Sequence, residues 1–207
     1  MSSPRKTLDD VLGDAQKWGT LGRRSISEVI SHARQFVAPL VGCTGPVIDI
    51  GTGAGVPGLV IAVDRPDLHL VLTDRRATRM DALRRGVAAM GLTDRVAVLT
   101  ADVEVLGRDP EHAGRYEAVV SRGFGPPEVT LRLATPLTAP GATLTLGQIN
   151  AALAPVKIDG AGLTSLGFEP VGQERAAKLY RASDFGRILT ALINLLSNIE
   201  TDVRKAA

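Results

Sequence analysis

One cysteine, Cys43, is the only thiol in this chain of 207 residues. An internal disulfide is therefore excluded, and a reducing compartment is expected; Cys43 itself reads as a small buried hydrophobe. No apolar run approaches the ~20 residues that a bilayer-spanning helix needs. The longest late one, Ile188 to Leu196, falls well short. The opening stretch MSSPRKTLDD lacks the apolar segment of a signal peptide, so a cytoplasmic protein with no membrane partner is expected. Charge of one sign is scarce as well. The net charge is +2 and the pI about 8.9, short of a strong nucleic-acid footprint. The positive charge does cluster, at Arg23-Arg24, Arg75-Arg76, Arg79 and Arg84-Arg85. Such clusters are either solvated helix faces or a surface for phosphates.

What is present is an ordinary globular composition, 44% hydrophobic and 22% charged, at a length that suits one domain with added elements. Thr7 to Trp18 places Leu8, Val11, Leu12 and Ala15 at helical spacing, with Thr7 as N-cap. Ser25 and Glu28 form a capping box that opens a second helix, expected to run to Leu40. From Pro46 the pattern alternates. Strands are expected at 46–50, 69–74, 95–102, 116–123 and 141–147. Helices are expected from Pro57, over 77–90 before Gly91, and over 128–137. Two further strands, FEPVGQERA and AKLYRAS, and a helical tail over 184–198 complete the reading. Alternating strands and helices predict an α/β domain around a mostly parallel sheet. The chain divides into a helical extension over 1–45, the main domain over 46–183, and a C-terminal helix and tail over 184–207.

The stretch VIDIGTGAGVPG, Val47 to Gly58, runs from the first strand into a glycine loop, at the strand end where such sheets hold ligands. A Walker phosphate loop is excluded, because Leu59 and Val60 follow Gly58 in place of Lys and Ser or Thr. Gly53, Gly55 and Gly58 match the dinucleotide pattern formally. Pro57, however, has no N–H to offer a pyrophosphate, and Asp49 sits close by with the wrong charge. S-adenosylmethionine has a sulfonium, an amino group and a carboxylate, and no phosphate. A carboxylate at Asp49 can anchor its amino group, directly or through water. Gly51, Thr52, Gly53 and Gly55 let backbone pass the methionine part. Asp74, ending the second strand, can take the ribose hydroxyls, although it would serve NAD equally. Asp102, after the third strand, can reach the adenine amino group, with Val103 packed on the ring. Each acid alone also reads as a loop, helix or turn cap; their recurrence at successive strand ends is the stronger signal.

VIDIGTGAGVPGLVIAVDRPDLHLVLTD, the strand ending VVSRGF, and PLTAPGATLTL resemble the RsmG (GidB) family over roughly 25–146. The resemblance implies a Rossmann-like class I S-adenosylmethionine-dependent methyltransferase, with a seven-stranded sheet whose last strand is reversed. It implies methyl transfer to guanine N7 of 16S ribosomal RNA, hence the small ribosomal subunit as partner. It implies cofactor contacts at Asp49, Gly51, Gly53, Gly55, Asp74, Asp102 and Val103, to which Thr52 and Ser121 are added as candidates, and it puts Arg122 at the active-site mouth. The chain departs from the family at Gly123, where the Ser-Arg-x-Phe segment usually has alanine. It departs again at Gly147-Gln148, where a glycine is usually paired with lysine.

Methylating N7 needs no general base, because the atom carries a free lone pair. It needs no acid either, because the departing thioether is neutral. Consistent with this, Pro126-Pro127 lack the preceding acid or amide of an amino-group methyltransferase motif. Arg122 is the candidate catalytic and substrate-binding residue, positioning a phosphate or the O6/N7 edge. Phe124 is a candidate stacking residue. No histidine has metal-ligand spacing, and no metal site is read. Three alternatives stay open: a small-molecule acceptor, another RNA, or a non-catalytic cofactor-binding relative.

Overall fold

The computed structural model describes residues 5–147, 168–174 and 177–182. The chain opens with α1 (Leu8–Lys17), whose start is fixed twice over. Thr7 Oγ1 accepts from the Asp10 amide, and the Asp10 carboxylate accepts from the Thr7 amide. The buried residues of α1 are Leu8, Val11, Leu12 and Ala15, the set that the helical spacing picks out. Helix α2 (Ile26–Arg34) begins with the Ser25–Glu28 box. It ends at Arg34, short of the expected Leu40, and a 3₁₀ turn over Ala38–Leu40 follows. Pro39 has no amide to continue the ladder.

Among the described residues the sheet has seven strands in the order β3-β2-β1-β4-β5-β7-β6. They are β1 (Val47–Ile50), β2 (Leu70–Asp74), β3 (Val96–Thr100), β4 (Tyr116–Arg122), β5 (Thr138–Gly147), β6 (Phe168–Glu174) and β7 (Ala177–Ala182). β1 to β5 are parallel, and β7 lies antiparallel between β5 and β6. The reversed last strand is thus present. β5 starts three positions before the expected Gly141. The helices between strands are α3 (Gly58–Asp64), α4 (Ala77–Met90), α5 (Val103–Leu106) and α6 (Pro127–Ala134). Gly91, in the left-handed region at φ 70°, closes α4. α3 starts one residue later than expected, with Pro57 as its cap. α5 was not anticipated: one turn is too short to show a period. The expected helix over 184–198 lies outside the described residues. No described helix is long and apolar enough to cross a membrane.

Side chains alternate across a strand, and β1 shows what that does here. Val47 points into the larger core, with α1 to α4. Ile48 and Ile50 point into the other, with α5, α6 and the 3₁₀ turn at Leu137. Asp49 shares the Val47 face, so it is aimed at the start of α3. Strand order reverses between β1 and β4, and a ligand cleft belongs at their C-terminal ends.

Candidate functional site

A cavity of about 630 Å³ lies at that switch point. The glycine loop forms its floor. Gly51, Gly53 and Gly55 all have positive φ, at 68°, 60° and 93°, a region that side chains rarely adopt. At Gly51 an added Cβ would also collide with the Phe124 ring, and at Gly58 with Leu72. The loop is therefore as close to β2 and to Phe124 as backbone allows.

Asp49 sits under the loop, fully buried. Its Oδ2 accepts from the Thr52 hydroxyl at 2.7 Å and from the Gly58 amide at 2.8 Å. Its Oδ1 is buried with no donor. Burial pushes this carboxyl up to about 7; bonds from Thr52 and Gly58 and the charge of Arg122 oppose the shift, and Asp74 adds to it. The loop-capping role weighed for Asp49 is thus real, and one oxygen remains over. Gly51, Thr52 and Gly53 line the cavity, while Gly55 is buried behind them against Leu59 and Leu83.

Asp74 and Asp102 both line the cavity wall, with Val103 beside them. Asp74 accepts from the Arg76 amide at 3.0 Å through Oδ1. Asp102 lies beyond the end of β3 and caps α5, accepting from the Glu104 amide at 2.9 Å. Both acids thus make local turns and face the cavity at once. Ser121 does not line the cavity: it is buried and donates to the Ile50 carbonyl at 3.2 Å, joining β4 to β1.

The opposite wall is the end of β4. Arg122 and Phe124 line it, with Gly123 between them at φ 67°. The Arg122 Nε is buried without an acceptor. Burial and the charge of Arg24 push this guanidinium down, and Asp49 pulls it back. Among the described residues no carboxylate bonds it. His32, on α2, lies within electrostatic reach of it. Both ring nitrogens of His32 and the Oε1 of Gln35 are also buried and unpartnered. Burial, Arg122 and Arg24 hold the His32 pKa below its ordinary value, so the imidazole is neutral at pH 7. No sequence signal singled out His32, because its proximity to Arg122 arises only in the fold.

The arginine clusters divide. Arg75, Arg76 and Arg79 line the cavity. Arg84 is structural: it pairs with Asp81 at 2.6 Å and bonds the Val98 carbonyl and Thr100 hydroxyl of β3. Thr20 to Gly22, from the loop between α1 and α2, complete the rim. Among the described residues no group of three or more His, Cys, Asp and Glu is placed to hold a metal ion.

The sheet order, the reversed last strand and the cleft at the β1/β4 switch define a Rossmann-like fold of the class I methyltransferase type. The fold is shared with a crystal structure of a Methanococcus maripaludis protein assigned as an S-adenosyl-L-methionine-dependent methyltransferase. The TM-score is 0.60 at 15% identity, covering 89% of this chain and 97% of that one.

The chain belongs to the GidB family, rRNA small subunit methyltransferase G, whose model matches residues 15–152. The ribosomal RNA small subunit methyltransferase G of Moorella thermoacetica is 31% identical over 141 residues, 65% of this chain and 58% of that protein. The protein of the same name from Frankia casuarinae is 30% identical over 156 residues, 75% of this chain and 58% of its own length. The chain thus spans less than two thirds of these relatives.

Proposed function

We propose that this protein transfers a methyl group from S-adenosylmethionine to an RNA guanine, at N7, with 16S ribosomal RNA of the small subunit as the acceptor. The observation that carries the cofactor half is a glycine-floored cavity with Asp74 and Asp102 on its wall and the buried Asp49 carboxyl directly beneath its floor. Arg75, Arg76, Arg79 and Arg122 line the same cavity, so what argues against a pyrophosphate is the Asp49 carboxyl under the glycine loop where it would rest, whereas an ammonium group and ribose hydroxyls meet acceptors. The Asp49 Oδ1, buried and without a donor, is the acceptor that the ammonium would satisfy, directly or through water. Asp74 has its Oδ1 on the Arg76 amide and its second oxygen for the ribose. Asp102 and Val103 take the adenine end.

Bound there, the cofactor supplies an electrophilic methyl group on a sulfonium. The chain's own task is then placement. Orientation alone can contribute roughly 7–11 kcal/mol at the upper end. Arg122, half buried at the cavity wall, donates to guanine O6 or to a phosphate. Phe124, packed over Gly51, is the aromatic side chain that this wall offers to the base. No side chain has to move a proton, because N7 has none to lose. Family membership carries the acceptor half. Its test is transfer of tritiated methyl to small subunits or free 16S RNA, followed by nuclease digestion. Label in 7-methylguanosine is expected; label in no RNA, with cofactor binding intact, would refute the acceptor.

A further inference from the structure

A second hollow of about 340 Å³ lies between α1 and α4, and it opens beside the first. The two share Thr20, Ala54 and Arg79 as walls. Its inner surface is apolar, made by Val11, Ala15 and Leu83, with Gly86 set against Val11 where any Cβ would press at 2.7 Å. At its mouth stands Trp18, the only tryptophan of the chain. Its side chain is 56% exposed, an unusual position for the largest apolar side chain. The Arg85 guanidinium lies over the indole, 5.9 Å from its centroid.

The charges around this hollow are mostly basic. Arg79 and Arg85 bond no carboxylate among the described residues. Asp14, the acid on the rim, is bonded to Lys6 at 2.5 Å and to Lys17 at 3.4 Å. Arg75 and Arg76 continue the basic rim into the main cavity. A planar apolar group with anions on both sides fits this surface. Stacking on an exposed aromatic ring, with cations tracking the backbone, is how unpaired nucleotides are held. An exposed cation–π contact is weaker than a base–aromatic stack, so Arg85 can give up its place to a base and turn to the phosphate.

We infer that the Trp18 hollow binds an unpaired nucleotide of the RNA acceptor, adjacent to the target guanosine in the main cavity, with Trp18 stacking on the base and Arg79 and Arg85 on the flanking phosphates. This rests on the RNA reading of the main site and names a contact that reading does not supply. It also places RNA recognition on the α1–α4 side, where the modest net charge of the whole chain hides it.

As the sole tryptophan, Trp18 reports its own occupancy. The full chain, saturated with S-adenosylhomocysteine, is titrated with a short unstructured oligoribonucleotide. Tryptophan emission is followed in parallel with the anisotropy of labelled RNA. Emission is expected to quench with the midpoint of the anisotropy curve. Trp18→Ala is expected to weaken RNA binding roughly tenfold, the loss of one stack. Trp18→Phe restores most of it, and cofactor affinity stays unchanged in both. RNA binding with unaltered emission and a wild-type Trp18→Ala midpoint would overturn the inference while sparing the RNA reading. Failure of every form to bind RNA or to methylate it would overturn both. Emission already blue-shifted and shielded from acrylamide before RNA is added would mean that the chain's own residues fill the hollow, which also overturns it.

Discussion

At the loop end of the cavity, Asp49 is clamped by Thr52 and Gly58, and Gly58 is pressed against Leu72. At the β4 end, the Arg122 Nε is buried without a partner. Each end keeps one unmet group that is costly to leave buried: an acceptor at the loop, Asp49 Oδ1, and a donor at β4, Arg122 Nε. The loop end is held by crowded backbone, and the β4 end by a long side chain. The difference separates two tasks. On the proposed function, the cofactor's ammonium group meets the acceptor at the loop, and the RNA acceptor meets the donor at β4.

The largest expected effect comes from the loop wall. Gly58→Val puts a Cβ into Leu72 and 2.8 Å from Asp49 Oδ2. Overpacking of this kind typically costs about 1–3 kcal/mol, and here it also unseats the loop. Thermal unfolding should fall by several degrees and S-adenosylhomocysteine binding should vanish. A variant that bound normally would mean that the loop is not rigid.

Next comes the β4 wall. Arg122→Ala should lower methyl transfer by about a hundredfold or more, as loss of a preorganised donor does, with cofactor affinity within about twofold of the parent. If the variant lost both together, the two walls would not be separable in function.

Asp74→Ala should weaken the cofactor by roughly ten- to a hundredfold, since hydrogen bonds to charged groups contribute about 1.5–3 kcal/mol. Calorimetry reads this directly. An unchanged affinity would leave Asp74 only its turn with Arg76.

The smallest and most diagnostic effect is on pH dependence. Burial raises the Asp49 carboxyl to about 7. Between the ordinary carboxylate range and that value, the folded state holds a proton that the unfolded state has lost, so stability falls as pH rises. In the ligand-free protein Asp49→Asn removes that loss. Its stability relative to the parent should therefore grow between about pH 4 and pH 7, by at most a few kcal/mol, and then level off. Denaturant unfolding across that range checks the sign. A difference that grew towards acid would mean that Asp49 is held charged.

The same contrast explains what was legible in the sequence. The loop wall is local: Asp49, Thr52 and Gly58 lie within one strand–turn–helix, and the glycines mark where backbone must crowd. Asp74 and Asp102 follow from strand ends, which hydrophobic runs locate well. The opposite wall is assembled from the end of β4 with Thr20 to Gly22 at the rim, segments far apart in the chain. Spacing says nothing about that meeting, so His32 and the Trp18 hollow went unread. Ser121 was drawn into the site by its neighbour Arg122, yet side chains alternate along β4, and it turns inward to Ile50. The early end of α2 is a backbone effect at Pro39 that the apolar stripe through Leu40 concealed.

The central claim is that this cavity is built for S-adenosylmethionine and not for a pyrophosphate cofactor. Calorimetric titration of the purified protein with S-adenosylhomocysteine, beside one with NAD, tests it most directly. The account predicts saturable binding of S-adenosylhomocysteine alone, weakened by Asp74→Ala. Binding of NAD in its place would contradict the roles given to Asp49 and the glycine loop.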